Sequence, residues 1–254
     1  MEMNGHVREA CAQLEAGAEA INLDWKNVED AGAETLAAAL ARNTTLKKLF
    51  LARDRIGPGG AQALAAALDN NATLTELSMY ENDIGAKGAV ALAAALGKNT
   101  ALATLDLSEN SIGVQGALAL VAALDTNATL TSLTLERSHI GAAGARALAA
   151  ALDTNHTLRM LYLLGDGVDT AITNLVADRL RVNKLVLTMA AWVAGTVAKI
   201  NEVPFSGGRH LGLPPSFAEL VAVMAFGDEL LDRVLPYPAV DQWLTPGGRK
   251  FAAA

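Results

Sequence analysis

The chain has 254 residues, 52% apolar but only 4% aromatic, so its core has to be built from leucine and alanine. A net charge of −7 and a pI near 5.1 argue against a binder of nucleic-acid phosphates or anionic membranes, both of which call for a basic face. Cys11 is the only cysteine, which excludes an intrachain disulfide and a cysteine-based zinc site.

The first predicted element is a helix over residues 4–16, where Val7, Cys11 and Leu14 recur at helical spacing behind Asn4, a good N-cap. Residues 1–17 are read as an N-terminal cap. Cys11 is read there as a buried small apolar residue, since no basic or histidine motif marks an activated thiol. The opening stretch lacks the apolar run of a secretory leader. The longest uncharged apolar run, Leu185 to Ala198, has 14 residues against the ~20 of a bilayer span. The expectation is a cytoplasmic protein without membrane association.

From residue 18 to 185 the chain repeats itself. Leu46, Leu74, Leu102, Leu130 and Leu158 are spaced 28 residues apart, and each opens the wording L-x-x-L-x-L-x-x-N-x-I-G-x-x-G-A-x-x-L-x-x-x-L-x-x-N-x-T with small lapses. An earlier copy begins at Ala18, and a sixth, degenerate one follows through Leu161, Leu163, Val176 and Asn183. Within a unit the L-x-L piece alternates, so Leu49 and Leu51 point inward from a short strand. Gly60, Ala61, Leu64 and Leu68 then share one face of an alanine-rich helix, with the two small residues allowing close approach. One unit cannot bury its leucine face alone, so the fold class is α/β, a solenoid of six stacked units.

Residues 186–254 leave the period. "LVLTMAAWVAGTVAKI" has the composition of a buried helix, Ser216 to Glu219 forms a capping box for a helix to about Val234, and "LPYPAVDQWLTPGG" is turn-rich. This part is expected to be a C-terminal cap or a small appended module.

The wording resembles the leucine-rich repeat, in the 28-residue class of the ribonuclease-inhibitor-like proteins. That class also includes the Ran GTPase-activating protein and NOD-like receptor sensors, and the "GAxALA" phrase is similar to GALA-type bacterial effectors. The resemblance covers about residues 18–185 and implies a curved stack, parallel strands on the concave side and helices on the convex side. It also implies an asparagine that bonds exposed backbone after each strand. Asn82 and Asn110 occupy that slot, while Lys26, Asp54, Ser138 and Asp166 replace it elsewhere. Lysine cannot accept a hydrogen bond, so a looser first turn is expected.

No motif for catalysis stands out. His6, His139, His156 and His210 form no metal-ligand cluster, and neither "GPGG" nor "SGGR" continues into a phosphate loop. Four N-x-[ST] sequons, at Asn43, Asn71, Asn127 and Asn155, fall in one structural slot at the helix end. The expectation is a non-enzymatic, monomeric scaffold with no cofactor and no metal, binding a protein or peptide. GTPase activation of the Ran type, or substrate recognition in a bacterial effector delivered into a host cytosol, is the alternative that the resemblance offers.

Residues between and after the inward leucines are expected to face out on the concave side, Ser108 and Ser132 among them. The framework slots hold constant while these slots change in every copy. The candidate partner-binding residues are Trp25, Phe50, Arg53, Arg55, Glu76, Tyr80, Glu81, Asp83, Asp106, Glu109, Glu136, Arg137, His139 and Tyr162. Aromatic and arginine side chains are typical interface anchors, and the acids concentrate on the third and fourth strands. Six strands at ~4.8 Å spacing span about 25–30 Å, room for a small domain, a helix or a peptide.

Overall fold

A computed structural model describes residues 4–165 and 167–184. The chain divides into two units, Met1–Lys184 and Leu185–Ala254, and the described residues belong to the first. The elements expected beyond Lys184, including the capping box at Ser216, lie outside the described residues, as does Asp166.

Strand and helix alternate along the first unit: α1 (Gly5–Glu15), β1 (Ala20–Asn22), α2 (Glu29–Leu40), β2 (Lys48–Phe50), α3 (Pro58–Leu68), β3 (Glu76–Ser78) and α4 (Gly85–Leu96). They continue as β4 (Thr104–Asp106), α5 (Gly113–Leu124), β5 (Ser132–Thr134), α6 (Gly141–Ala151) and β6 (Met160–Tyr162). Residues 170–184 are again helical. The six strands form one parallel sheet in chain order, and the register follows the period: Ile21 pairs with Leu49, then Leu77, Leu105, Leu133 and Leu161 in turn. Equal spacing in sequence has become equal height in the sheet.

The core lies between the strands and the helices. Each strand supplies its middle residue, isoleucine in β1 and leucine in the others, and the next residue but one, as in Leu49 and Leu51, and Met79 takes the second leucine slot in the third unit. The helices supply the matching face, in α3 the buried Gly60, Ala61, Leu64 and Leu68. The glycine row lets neighbouring helices touch. A Cβ at Gly116 would lie 2.9 Å from Ala89 Cβ, and one at Gly144 equally close to that of Ala117.

Asparagine closes the helix ends. Asn71 Nδ2 donates to the carbonyls of Leu40 (2.9 Å) and Asn43 (3.0 Å), while its Oδ1 accepts from the amides of Thr73 and Leu74. Asn99, Asn127 and Asn155 repeat the pattern in buried positions, and Asn183 donates to Asn155 O and Leu158 O. Both ends of each amide in the sequons at Asn71, Asn127 and Asn155 are thus engaged inside the stack, and Asn43 is bonded likewise to Leu14 O and Leu46 N. These threonine-bearing sequences are structural punctuation.

The cap helix buries Val7, Ala10 and Leu14, with the Asn4 side chain accepting from His6 N. Cys11 is half-buried against the core; burial, aided by Glu15, raises its thiol pKa. The expected looseness of the first turn is not found. Asp54 Oδ1 accepts from Lys26 N at 2.8 Å, and Asn4 Nδ2 donates to the carbonyls of Lys26 and Asn27 at 2.8 Å each. The cap and the second unit hold from either side a turn whose own slot residue cannot.

Candidate binding surface

The loop after each strand carries the chain from sheet to helix, and it does so through left-handed backbone. Trp25, Arg53, Glu81, Glu109 and Arg137 share one slot and have φ of 63°, 60°, 51°, 55° and 49°. Two residues on, Asn27, Arg55, Ser111 and His139 form a second left-handed row. The sixth unit holds Gly165 and Gly167 in these two slots, with φ of 104° and 81°. Glycine therefore fits, yet earlier units keep large side chains there at about 1 kcal/mol or more each.

Those side chains meet across the units. The Arg53 guanidinium lies 4.2 Å from the Trp25 ring centroid and 5.5 Å from that of Tyr80, and Arg53 Nε is paired with Glu81. Tyr80 Oη donates to Glu109 Oε1 (3.2 Å), which also accepts from Arg137 Nη1 (2.8 Å). Six of the fourteen candidates thus form one continuous chain of ring, cation and carboxylate contacts along the row of loops that follow the strands, which forms a rim beside the sheet: Trp25, Arg53, Tyr80, Glu81, Glu109 and Arg137. The Arg137 guanidinium holds the Glu109 carboxyl below its usual value. Arg53 pulls the Tyr80 phenol down, but burial and the acceptors Glu81 and Glu109 leave it above its ordinary value, so it stays a donor.

The remaining candidates are placed apart from this chain. Glu76 pairs with Lys48 at 2.8 Å, and Ser111 Oγ lies 3.4 Å from His139 Nδ1. Asp106 accepts from both the amide and the hydroxyl of Ser108. Glu136 is half-buried beside Arg137. Arg55 and Asp83 are exposed, and their side chains form no bond among the described residues. Trp25 is 66% exposed and Tyr162 47%, whereas Phe50 and Tyr80, expected to stand free, are half-buried. Ser108 and Ser132 are buried instead of facing out. Ser108 is covered by its bond to Asp106 and by the amide of Glu136, which donates to its hydroxyl. Met160 and Leu164 add exposed apolar surface beside Tyr162.

Among the described residues no group of three or more His, Cys, Asp or Glu could hold a metal ion, and no helix is long and apolar enough to cross a membrane. The surface offers shape, rings and paired charges for contact.

The Leucine Rich repeat family profile matches residues 70–93, 98–121 and 126–149, each segment running from the end of one helix through a strand into the next helix. Among solved structures, the leiomodin-1 actin-binding site 2 aligns with a TM-score of 0.50 at 22% identity, covering 75% of this chain and 96% of that one. The tropomodulin C-terminal domain of Caenorhabditis elegans aligns with a TM-score of 0.46 at 12% identity, covering 73% of this chain and 98% of that one. No curated protein sequence matches the chain. Parallel strands recurring every 28 residues, one leucine register through all six and the three matched segments together identify the chain as a leucine-rich repeat protein.

Proposed function

We propose that this solenoid is a non-enzymatic interaction module that binds a protein or peptide along the rim of its concave face. The observation that carries this reading is the strained row. Five large or charged side chains hold a left-handed slot that the sixth unit gives to glycine, and local strain of this kind concentrates at functional surfaces. The leiomodin-1 segment is named for binding actin, and at 22% identity it lends this chain only the fold. The 28-residue unit with a full helix per strand is the ground for placing the chain in the ribonuclease-inhibitor-like class.

Trp25 separates binding from folding. Its ring is mostly exposed, and its φ of 63° suits glycine, so Trp25→Gly removes an anchor while relieving backbone strain. The expected result is a melting temperature at or above wild type. Affinity for a partner captured by the wild-type protein should fall at least about thirty-fold. Lys87→Ala, exposed on α4, serves as the control and should change neither. A captured partner that binds the Trp25→Gly protein as tightly as wild type would remove the rim from consideration.

A further inference from the structure

The turn row contains one residue of the wrong chemistry for its place. Asn82 Nδ2 donates to Leu51 O and Asn110 Nδ2 to Met79 O, both at 2.7 Å, and Ser138 Oγ donates to Leu107 O at 2.9 Å. Each is a donor reaching back one strand to a carbonyl. Asp54 occupies the same slot at 0% exposure. Its Oδ1 does what the Asn82 Oδ1 does, accepting from Lys26 N (2.8 Å) and Val28 N (3.3 Å) as Asn82 accepts from Asp54 N and Ile56 N. Its Oδ2 stands where the neighbours carry their donor, and it has no partner among the described residues.

An ionised oxygen buried in that position has lost water and gained nothing, whereas an O–H there supplies the donor that the row requires. By register the carbonyl that receives it is that of Leu23. We propose that the folded solenoid holds Asp54 as a neutral carboxylic acid, which acts as a proton switch on the first turn, the segment that positions Trp25 and Asn27. Loss of the proton loosens that turn and frees Trp25 from its place over Arg53.

The surroundings agree. Burial is the dominant influence on Asp54 and raises its pKa to about 6, against the amides of Lys26, Val28 and Asn27, which favour the ionised form; Asp24 pushes upward again. Among the described residues no cationic side chain bonds Asp54, and the side chain of Lys26, in the turn whose amides Asp54 accepts from, is exposed. In its own loop Arg53 is taken by Glu81 and Arg55 is exposed; from the third unit Asn82 is uncharged. On the α2 side Glu29 is bonded by Asn27 Nδ2, and Asp30 Oδ1 accepts from Gly57 N and Gly60 N. The sign follows from the raised value. The stabilisation is complete below the ordinary aspartate pKa of ~3.9 and is lost as pH rises through about 6. The ratio of closed to open turn should therefore fall about tenfold between pH 5 and pH 8, and up to about a hundredfold over the whole titration.

The test is amide hydrogen exchange in the full chain from pH 5 to pH 8, corrected for intrinsic rates, read at Lys26 and Val28. Wild type should lose about tenfold in protection across that range, and Asp54→Asn should lose none and be the better protected at pH 8. Asn82→Asp should transfer the same loss to the amides of Asp54 and Ile56. Parallel pH profiles for wild type and Asp54→Asn would overturn the proposal, whether or not the rim binds a partner. So would an Asn82→Asp protein whose Asp54 and Ile56 amides stay protected at every pH.

Discussion

Leu107 and Ser108 are neighbours in the chain and both are buried, yet they leave water for different reasons. Leu107 fills the core beneath the strand, so Leu107→Ala should cost roughly 2–5 kcal/mol through lost contact and a cavity. Ser108 lies on the opposite side, where its hydroxyl donates to Asp106 at 2.8 Å and accepts from Glu136 N at 3.2 Å. Ser108→Ala leaves both partners short and should cost about 1–3 kcal/mol by urea unfolding. A Ser108→Ala protein as stable as wild type would mean that water replaces the hydroxyl without loss. Alternation along the strand told which side each residue faces and could not tell that a neighbouring loop covers the outer one. Tyr80 escaped the same reasoning, because its partners Arg53 and Glu109 are remote in sequence. The signal within reach was the order Arg53, Glu81, Glu109, Arg137 in a single slot, opposite charges at two of the three steps.

At the scale of the helix, glycine is where local preference and packing disagree. In α4 a Cβ at Gly88 would come within 2.6 Å of Ile84 Cγ2 and 2.8 Å of Ala61 Cβ. Helix propensity alone favours alanine over glycine by about 1 kcal/mol. Forcing a methyl into a closed contact costs about 1–3 kcal/mol, so Gly88→Ala should lower the melting temperature. Gly97, just past the same helix, has right-handed φ and nothing nearer than 3.6 Å to an added Cβ. Gly97→Ala should be neutral or stabilising by up to about 1 kcal/mol, through the unfolded chain. Equal melting temperatures for the two variants would show that the helices can move apart at no cost. The small-residue row was legible because the period repeats Gly60, Gly88, Gly116 and Gly144 in one slot. The left-handed rows were not, because tryptophan, arginine and glutamate give no hint of a conformation usually left to glycine.

Across the described unit, strands and helices pack against their counterparts in the adjacent repeats. Leu105 and Leu133 are opposed Cα partners on adjacent strands, whereas Leu49 and Leu133 are separated by β3 and β4. Truncating one core leucine opens space that its neighbour partly fills, so the second truncation at a touching site does not cost what it costs alone. Leu49→Ala combined with Leu133→Ala should therefore add within about 0.5 kcal/mol in urea unfolding. Leu105→Ala combined with Leu133→Ala should depart from additivity by about 0.5–3 kcal/mol. Urea slopes that match wild type would license the comparison, since a long array that loses cooperativity would lower them. Coupling of the same size in both pairs would mean that strain travels the length of the sheet, contrary to nearest-neighbour stacking. Additivity for the distant pair would confine a perturbation of the first turn, such as ionisation of Asp54, to the units that hold Trp25 and Arg53, leaving Arg137 and Glu109 paired at the far end of the rim.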